Sequence, residues 1–308
     1  MNSHSATPIP FRGQSDFARM MELVHRAPEQ HVHTVDLPYR LSSWAFEDTE
    51  NTKLWEDANG DILAWAALQT PFWNVDIACA SGASIRLYAE ILDWAEHRIH
   101  QMMETQFGRP CWYITVFSDQ LHLIDIFERR GFACQADVGD SSWSQILMHI
   151  KPPQVRSHHA IKKGFTIRPL DGERETPAYV DVHRAAFGSE NMRVAWRDST
   201  LRRSEYLKDL DLVVISPDDR LAAFCVGWLA ESDTVLTGQI EPLGVHPDFQ
   251  EKGLGRAVLD EALSRMWARG AEEVLVETDS YRNSAFELYH SVGFRVSRDI
   301  RVFRKDYG

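Results

Sequence analysis

The chain has 308 residues, 44% of them hydrophobic and 25% charged, with a formal net charge of −12. That length and apolar content suit two domains with cores of their own and exclude a disordered or collagen-like chain. The acidic balance speaks against nucleic acid as a partner, because phosphate binding rests on dense Lys and Arg, and suits a cationic, amine-bearing small molecule.

Met1 to Phe11 is rich in Ser, Pro and His without an apolar core, and nowhere do eighteen apolar residues run together, so no signal peptide or membrane span is expected. Tyr88, Ile91, Leu92 and Ala95 then follow the i, i+3, i+4, i+7 spacing of a helix with one buried face. Residues 112–116 read as a strand, and 126–132 as a helix end closed by Gly131-Phe132. Residues 151–160 are polar, Pro-bearing and aperiodic, which marks a linker and divides the chain into 1–152, a linker 153–164, and 165–308. Beyond it, 165–170 alternates like a strand, 176–187 and 194–207 look helical, and 211–215, 221–229 and 234–245 read as an antiparallel meander.

The meander runs into Leu243-Gly244-Val245-His246-Pro247, a short loop, and Gln250-Glu251-Lys252-Gly253-Leu254-Gly255-Arg256. Leu259, Ala262, Leu263 and Met266 keep helical spacing, so a helix begins near Gly253 with its unpaired N–H groups directed into the loop. Two glycines let a ligand approach the backbone, and the helix dipole attracts a phosphate or pyrophosphate. The spacing Gln-x-x-Gly-x-Gly is neither the dinucleotide fingerprint nor a phosphate loop ending in Gly-Lys-Ser/Thr. A β-rich run at 274–278 follows, then Ala285-Phe286-Glu287-Leu288-Tyr289-His290-Ser291-Val292-Gly293-Phe294.

Together these segments resemble the Gcn5-related N-acetyltransferase (GNAT) superfamily: Val245-His246-Pro247 matches its Val-x-Pro, residues 250–255 its (Gln/Arg)-x-x-Gly-x-(Gly/Ala), and 285–294 its A-x-x-L-Y-x-x-x-G-F ending. The resemblance implies an α/β (α+β) fold with a mixed, mostly antiparallel central sheet flanked by helices. It also implies acetyl-CoA as cosubstrate, held by Leu243, Gly244, Val245, Gln250, Glu251, Lys252, Gly253, Leu254, Gly255 and Arg256. One position departs. The family usually carries Asn three residues before the Ala; here that residue is Arg282, with Asn283 next. Either Asn283 substitutes through a shifted loop, or Arg282 meets coenzyme A phosphate.

The first half repeats the pattern, so two tandem folds of this type are expected. The helical spacing sets Gly82 against Gly253, and Gly131-Phe132 answers Gly293-Phe294, over 49 residues rather than 40. In that alignment Cys79 stands for Gln250, Ser84 for Gly255 and Phe127 for Tyr289. Ser restricts backbone approach and Phe has no proton to give, so the first half reads as degenerate.

Acetyl transfer to an amine requires a neutral amine, a polarised carbonyl and a proton for the departing thiolate. In the family, the strand before the cradle splays from its neighbour and its backbone N–H groups face the thioester; here those would come from Leu243 to Val245. Tyr289 stands where the family often has a tyrosine general acid, and it also borders the cofactor. Glu241 is the candidate base or amine anchor, with Gln239, Asp279 and His246 behind it. Strand alternation puts Glu241 on the side of Leu243 and Val245 unless Pro242 introduces a bulge. The acceptor wall is expected from residues 187–196 and 299–303, with Phe187, Trp196 and Tyr206 as aromatic candidates whose ordinary role is core packing.

Cys79, Cys111, Cys134 and Cys225 show no C-x-x-C pairing and read as buried thiols of a reducing, cytoplasmic compartment. His31/His33 and His158/His159 lack partners at metal-ligand spacing, so no metal is expected. The leading expectation is an N-acetyltransferase, monomer or homodimer, acting on the primary amine of a small molecule, without nucleic-acid or membrane partners. A mycothiol-synthase-like enzyme, of a tandem kind that acetylates a cysteinyl amine, is an alternative. So are a coenzyme A-binding sensor or scaffold without turnover and, least favoured by the acidic charge, an aminoacyl transferase using transfer RNA.

Overall fold

The computed structural model describes residues 6–139, 142–152, 161–232 and 235–308. The chain forms two compact units that are not contiguous in sequence: one comprises Met1–Thr34, Ser43–Ile146 and Arg298–Gly308, the other Val35–Ser42 and Leu147–Ser297.

In chain order the first unit holds β1 (Thr7–Pro10) and α1 (Gln14–His25), while α2 (Leu37–Arg40) belongs to the second. The first unit continues with β2 (Thr52–Glu56), β3 (Ile62–Gln69), β4 (Asn74–Cys79), α3 (Ile85–Met102), β5 (Cys111–Phe117), α4 (Leu121–Arg129) and β6 (Ala133–Cys134). The second unit is built from β7 (Gln145–Ile150), β8 (Thr166–Pro169), α5 (Thr176–Phe187), α6 (Val194–Leu201), β9 (Asp211–Ile215), β10 (Leu221–Ser232), β11 (Val235–Val245), α7 (Leu254–Ala268), β12 (Glu273–Asp279) and α8 (Asn283–Val292). The last strand, β13, spans Arg295–Asp306.

Strand order in the first unit is β1-β2-β3-β4-β5-β13, with β6 also on β13; in the second it is β7-β12-β11-β10-β9-β8. In each sheet the neighbours pair antiparallel along β1-β2-β3-β4 and β8-β9-β10-β11 and at β5-β13, while β4 meets β5 and β11 meets β12 in parallel. The two halves thus have the same fold, and they exchange their last strands. Residues 300–306 of β13 pair with β5, from Ile300 opposite Phe117 to Asp306 opposite Cys111, and Ile300, Val302 and Phe303 are buried in the first unit. Most of β7, from the end of the first half, lies in the second unit beside β12. A cut at 152 and 165 therefore groups these strands differently from the compact units; residues 153–160 of the expected linker lie outside the described residues.

The internal repeat is visible in backbone detail. The Phe132 N–H bonds the Phe127 carbonyl at 3.1 Å, and the Phe294 N–H bonds the Tyr289 carbonyl at 3.1 Å, so both Gly-Phe endings close their helix in the same way. Gly131 and Gly293 supply the positive φ that this cap requires, at 82° and 120°. One expected helix is shorter than its apolar spacing suggested. α6 stops at Leu201, and turns carry the chain to Tyr206, whose hydroxyl bonds Asp211 at 2.6 Å.

Candidate active site

The cradle forms as its residue types dictate. Gly253 is the N-cap of α7 with φ 73°, and Glu251 before it also has positive φ, 58°, so residues 250–253 wrap a tight loop whose N–H groups precede the helix. A side chain at Gly255 would begin 3.2 Å from Val245 Cγ2 and 3.5 Å from Leu288 Cδ2; its absence lets the helix start press against the strand that feeds it. Leu254 is buried beneath, while Gln250 and Glu251 are exposed. Lys252 Nζ bonds the Asp248 carbonyl, and Arg256 is held by Asp260 at 3.2 Å and Ser291 Oγ at 3.0 Å. Two cations thus flank a helix N-terminus.

Beside the cradle the sheet opens. β11 and β12 pair in register only from Thr237 opposite Glu273 to Ile240 opposite Val276; beyond that point β11 continues to Val245 without β12 as a partner. On its other edge β11 stays paired with β10, and the His246 N–H bonds the Ala222 carbonyl at 2.9 Å. Antiparallel pairs alternate between hydrogen-bonded and non-bonded, so Gly244 turns its N–H to β10 while Leu243 and Val245 turn theirs into the opening. Gly244 has a packing role as well. A Cβ there would lie 2.5 Å from the Phe224 ring, which fills that space.

A β-bulge occurs where Pro242 made one plausible. Cys225 faces Leu243 and Gly227 faces Ile240, so Glu241 and Pro242 together oppose Val226. The bulge breaks the alternation that would have set Glu241 with Leu243 and Val245. Glu241 instead lies close enough to Tyr39, Tyr179 and Tyr289 for its charge to raise all three phenols, beyond the larger effect of burial. The Trp228 indole donates to the Glu241 carbonyl at 2.7 Å and fixes the bulge from the next strand.

Tyr289, on α8, is 6% exposed and stands edge-on to Phe294 with ring centroids 5.7 Å apart. Burial, then Glu241 and Cys225, push its pKa up, while Arg282 works the other way. Arg282 caps α8, pairs with Asp279 at 2.8 Å, and lies 5.6 Å over the Phe187 ring; Asn283 opens the helix and is exposed.

Sequence reasoning missed the aromatic and polar cluster beside Glu241. Tyr39 comes from α2, in the first half of the chain, yet belongs to the second unit, stacked on Trp196 at 5.2 Å and 6.4 Å from Trp228. Its hydroxyl is 3.5 Å from His183 Nε2. His183 stacks on Phe224, and burial with Arg197 and Arg184 nearby holds its pKa down to about 3, so the imidazole is neutral. Arg197 is fully buried, paired with Asp211 and 3.7 Å over the Tyr179 ring. Tyr179 Oη, His183 Nδ1, Gln239 Nε2 and Arg197 Nη1 are buried without a hydrogen-bond partner in the protein. Such a concentration of unmatched polar atoms beside a carboxylate marks a place for water or ligand groups. The i, i+4 spacing of Tyr179 and His183 was legible, but no local pattern ties Tyr39 to them.

The residues expected at the acceptor wall take up the following places. Trp196 packs in the core against Tyr39, Tyr206 is committed to Asp211, and residues 299–303 lie in the first unit because their strand completes that sheet. In the first unit the cap position of α3 is held by Ser84, not by Gly82, whose φ is 77°. Ser84 Oγ accepts from the Leu87 N–H at 3.2 Å and so uses one of the donors an anion needs. Phe127 is buried where Tyr289 stands in the second unit. Cys79, Cys111 and Cys225 are buried free thiols and Cys134 is partly exposed. Among the described residues no cluster of three or more His, Cys, Asp or Glu is arranged to hold a metal ion, and no helix is long and apolar enough to cross a membrane.

Comparison with known proteins agrees with this geometry. Residues 177–294 match the model of the acetyltransferase (GNAT) family. The chain is 34% identical over 135 residues to a mycothiol acetyltransferase of Beutenbergia cavernae, covering 42% of this chain and 45% of that protein. It is 30% identical over 99 residues to the ribosomal protein bS18-alanine N-acetyltransferase of Salmonella typhimurium, covering 32% and 64%. The chain spans about half the length of the mycothiol acetyltransferases it matches. A GCN5-related N-acetyltransferase from Sphaerobacter thermophilus superposes over 99% of this chain and 96% of its own, with TM-score 0.65 and 17% identity. A tandem GNAT protein from the clavulanic acid biosynthesis pathway covers 99% of both chains, with TM-score 0.66 and 10% identity. Residues 177–294 therefore form a GNAT-family domain, and the chain as a whole shares its fold with a tandem GNAT protein.

Proposed function

We propose that the second unit transfers an acetyl group from acetyl-CoA to the primary amine of a small molecule, by direct attack of the amine. The observation that carries this reading is the opening of β11 from β12 after Ile240, next to the α7 N-terminus: a groove with outward N–H groups that ends in an anion cradle. Residues 250–256 would hold the pyrophosphate, with Lys252 and Arg256 supplying positive charge, and Arg282 and Asn283 would border the same groove. Acetyl-CoA, when bound, supplies an activated carbonyl and a thiol leaving group.

The chain's own residues supply the rest. The N–H groups of Leu243 and Val245 receive the carbonyl oxygen as negative charge grows on it. Glu241 anchors the incoming amine and takes its proton, directly or through one water, as the C–N bond forms. Tyr289 delivers a proton to the sulfur as the C–S bond breaks. A raised phenol pKa makes Tyr289 a weaker acid, but the same burial pushes up the thiol of Cys225 nearby, so a thiolate released here is also a stronger base than in water. The acceptor lies against Tyr39, Tyr179 and His183. A steady-state assay of free-thiol release with acetyl-CoA and a panel of primary amines tests the reading; Glu241→Gln should flatten the acidic limb of the rate profile. An unchanged acidic limb would remove Glu241 as base.

A second reading concerns the acceptor alone. The similarity to mycothiol acetyltransferases favours a cysteinyl amine of a thiol precursor, tested by including cysteinyl amides in the panel. A chain that binds coenzyme A but turns over none of these amines would be a sensor or scaffold.

A further inference from the structure

The first unit keeps the opening seen in the second: β4 and β5 share only the register pair Asn74 opposite Tyr113, and β4 runs on to Cys79 without β5 beside it. Here, however, the chain itself crosses the gap. The turn Pro28–Gln30, which follows α1, is bonded to the loops that leave both strands. Gln30 Nε2 donates to Ser81 Oγ at 2.8 Å, in the loop after β4. Gln120 Nε2, in the loop after β5, donates to the Gln30 carbonyl at 2.9 Å, and its own Oε1 is oriented by the Phe117 N–H at 3.1 Å.

Arg298 pins the neighbouring residue. Its Nη1 donates to the Glu29 carbonyl at 2.5 Å, its Nη2 pairs with Asp119 at 2.5 Å, and its guanidinium lies 3.4 Å over the Phe117 ring. His31 continues the strap, with Nε2 buried and unpartnered. At the cradle loop, Ser84 already caps α3 from within. The loops that leave both strand ends and the first turn of α3 are thus each engaged by the protein's own residues.

We infer that Pro28–His31 is a latch that seals the first unit's notch in the position where the second unit takes its thioester. This rests on the acetyl-CoA reading of the second unit only for the comparison; the latch itself stands on the bonds to Ser81 and Gln120. The chain accordingly takes one acyl-CoA, and its first unit is a closed copy held shut by two glutamine side chains.

Hydrogen–deuterium exchange on the full chain tests this. In Gln30→Ala/Gln120→Ala, amides in residues 80–84 and 117–121 should exchange about tenfold faster than in the wild type, because two hydrogen bonds of modest net strength are lost. Should that variant fold poorly, Ser81→Ala removes only the exposed acceptor and should speed 80–84 alone. Acetyl-CoA added to the wild type should slow exchange at 243–256 and leave 80–87 unchanged. Unaltered exchange in both variants, or protection of 80–87 by acetyl-CoA, would overturn the latch. If acetyl-CoA protects no segment, the cofactor reading of the second unit fails, and the variants decide the latch without it.

Discussion

Replacing Tyr289 by Phe removes one hydroxyl and leaves the packing that holds the ring. The ring is 6% exposed and braced edge-on by Phe294, contacts that a phenyl group keeps, so the fold should lose no more than about 1 kcal/mol. Acetyl-CoA affinity should be nearly unchanged, because the cradle at 250–256 does not use this hydroxyl. The chemical step should suffer. A positioned acid contributes roughly 10²- to 10⁴-fold, equivalent to about 3–5 kcal/mol of barrier. Because burial and Glu241 raise the phenol's pKa, the group stays protonated across the accessible pH range, and the wild-type rate should show no downturn from its loss near pH 10. Steady-state kinetics with Ellman detection of released thiol, alongside a thermal melt, reads each of these effects. A kcat within about threefold of wild type, with the fold intact, would refute the acid role.

Three further outcomes follow from the same structure. Ending the chain after Ser297 strips Ile300, Val302 and Phe303 from the first unit's core, a loss of roughly 5–9 kcal/mol at about 1.5–3 kcal/mol per buried side chain; the truncated protein should fail to melt cooperatively, whereas a two-state melt near the wild-type temperature would contradict the strand exchange. Arg197→Met leaves Asp211 buried without its cation and should cost about 3–5 kcal/mol by urea unfolding; a cost below about 1 kcal/mol would show that the pair is dispensable. Burial holds His183 neutral with a pKa of about 3 and pulls His31 down to about 4, so the unfolded chain binds more protons below pH 6.5. Stability is therefore complete above that pH and falls toward pH 4, with about 3 kcal/mol from His183 alone, and His183→Gln should flatten the slope; an unchanged slope would exclude His183 as its source.

The cradle was legible because its requirements are local: two glycines, a helical apolar stripe after them and a Val-x-Pro strand end fix Gly253 and Gly255 in place. The bulge at Glu241-Pro242 was foreseeable from Pro alone, but the side that Glu241 takes depends on how β10 pairs around Val226. Tyr39 and the exchange of β7 and β13 left no trace in any window of sequence, since both depend on contacts between segments more than a hundred residues apart. The helical pattern aligned Gly82 with Gly253, but α3 starts two positions later, after Ser84, whose hydroxyl accepts from the Leu87 N–H, whereas α7 starts directly after Gly253. The latch was invisible for a different reason: Gln30 and Gln120 are ordinary surface residue types until the two loops bring them together.

Calorimetric titration of acetyl-CoA into the full chain, repeated with Arg256→Glu, tests the central claim most directly. Arg256 is partly exposed and is held by the surface partners Asp260 and Ser291, so its reversal should spare the fold while placing a negative charge at the cradle. One binding event per chain, weakened at least about tenfold by the substitution, is the result expected of a single working cradle at the start of α7. Two equivalent events, or one that Arg256→Glu leaves untouched, would place the cofactor elsewhere and contradict the account.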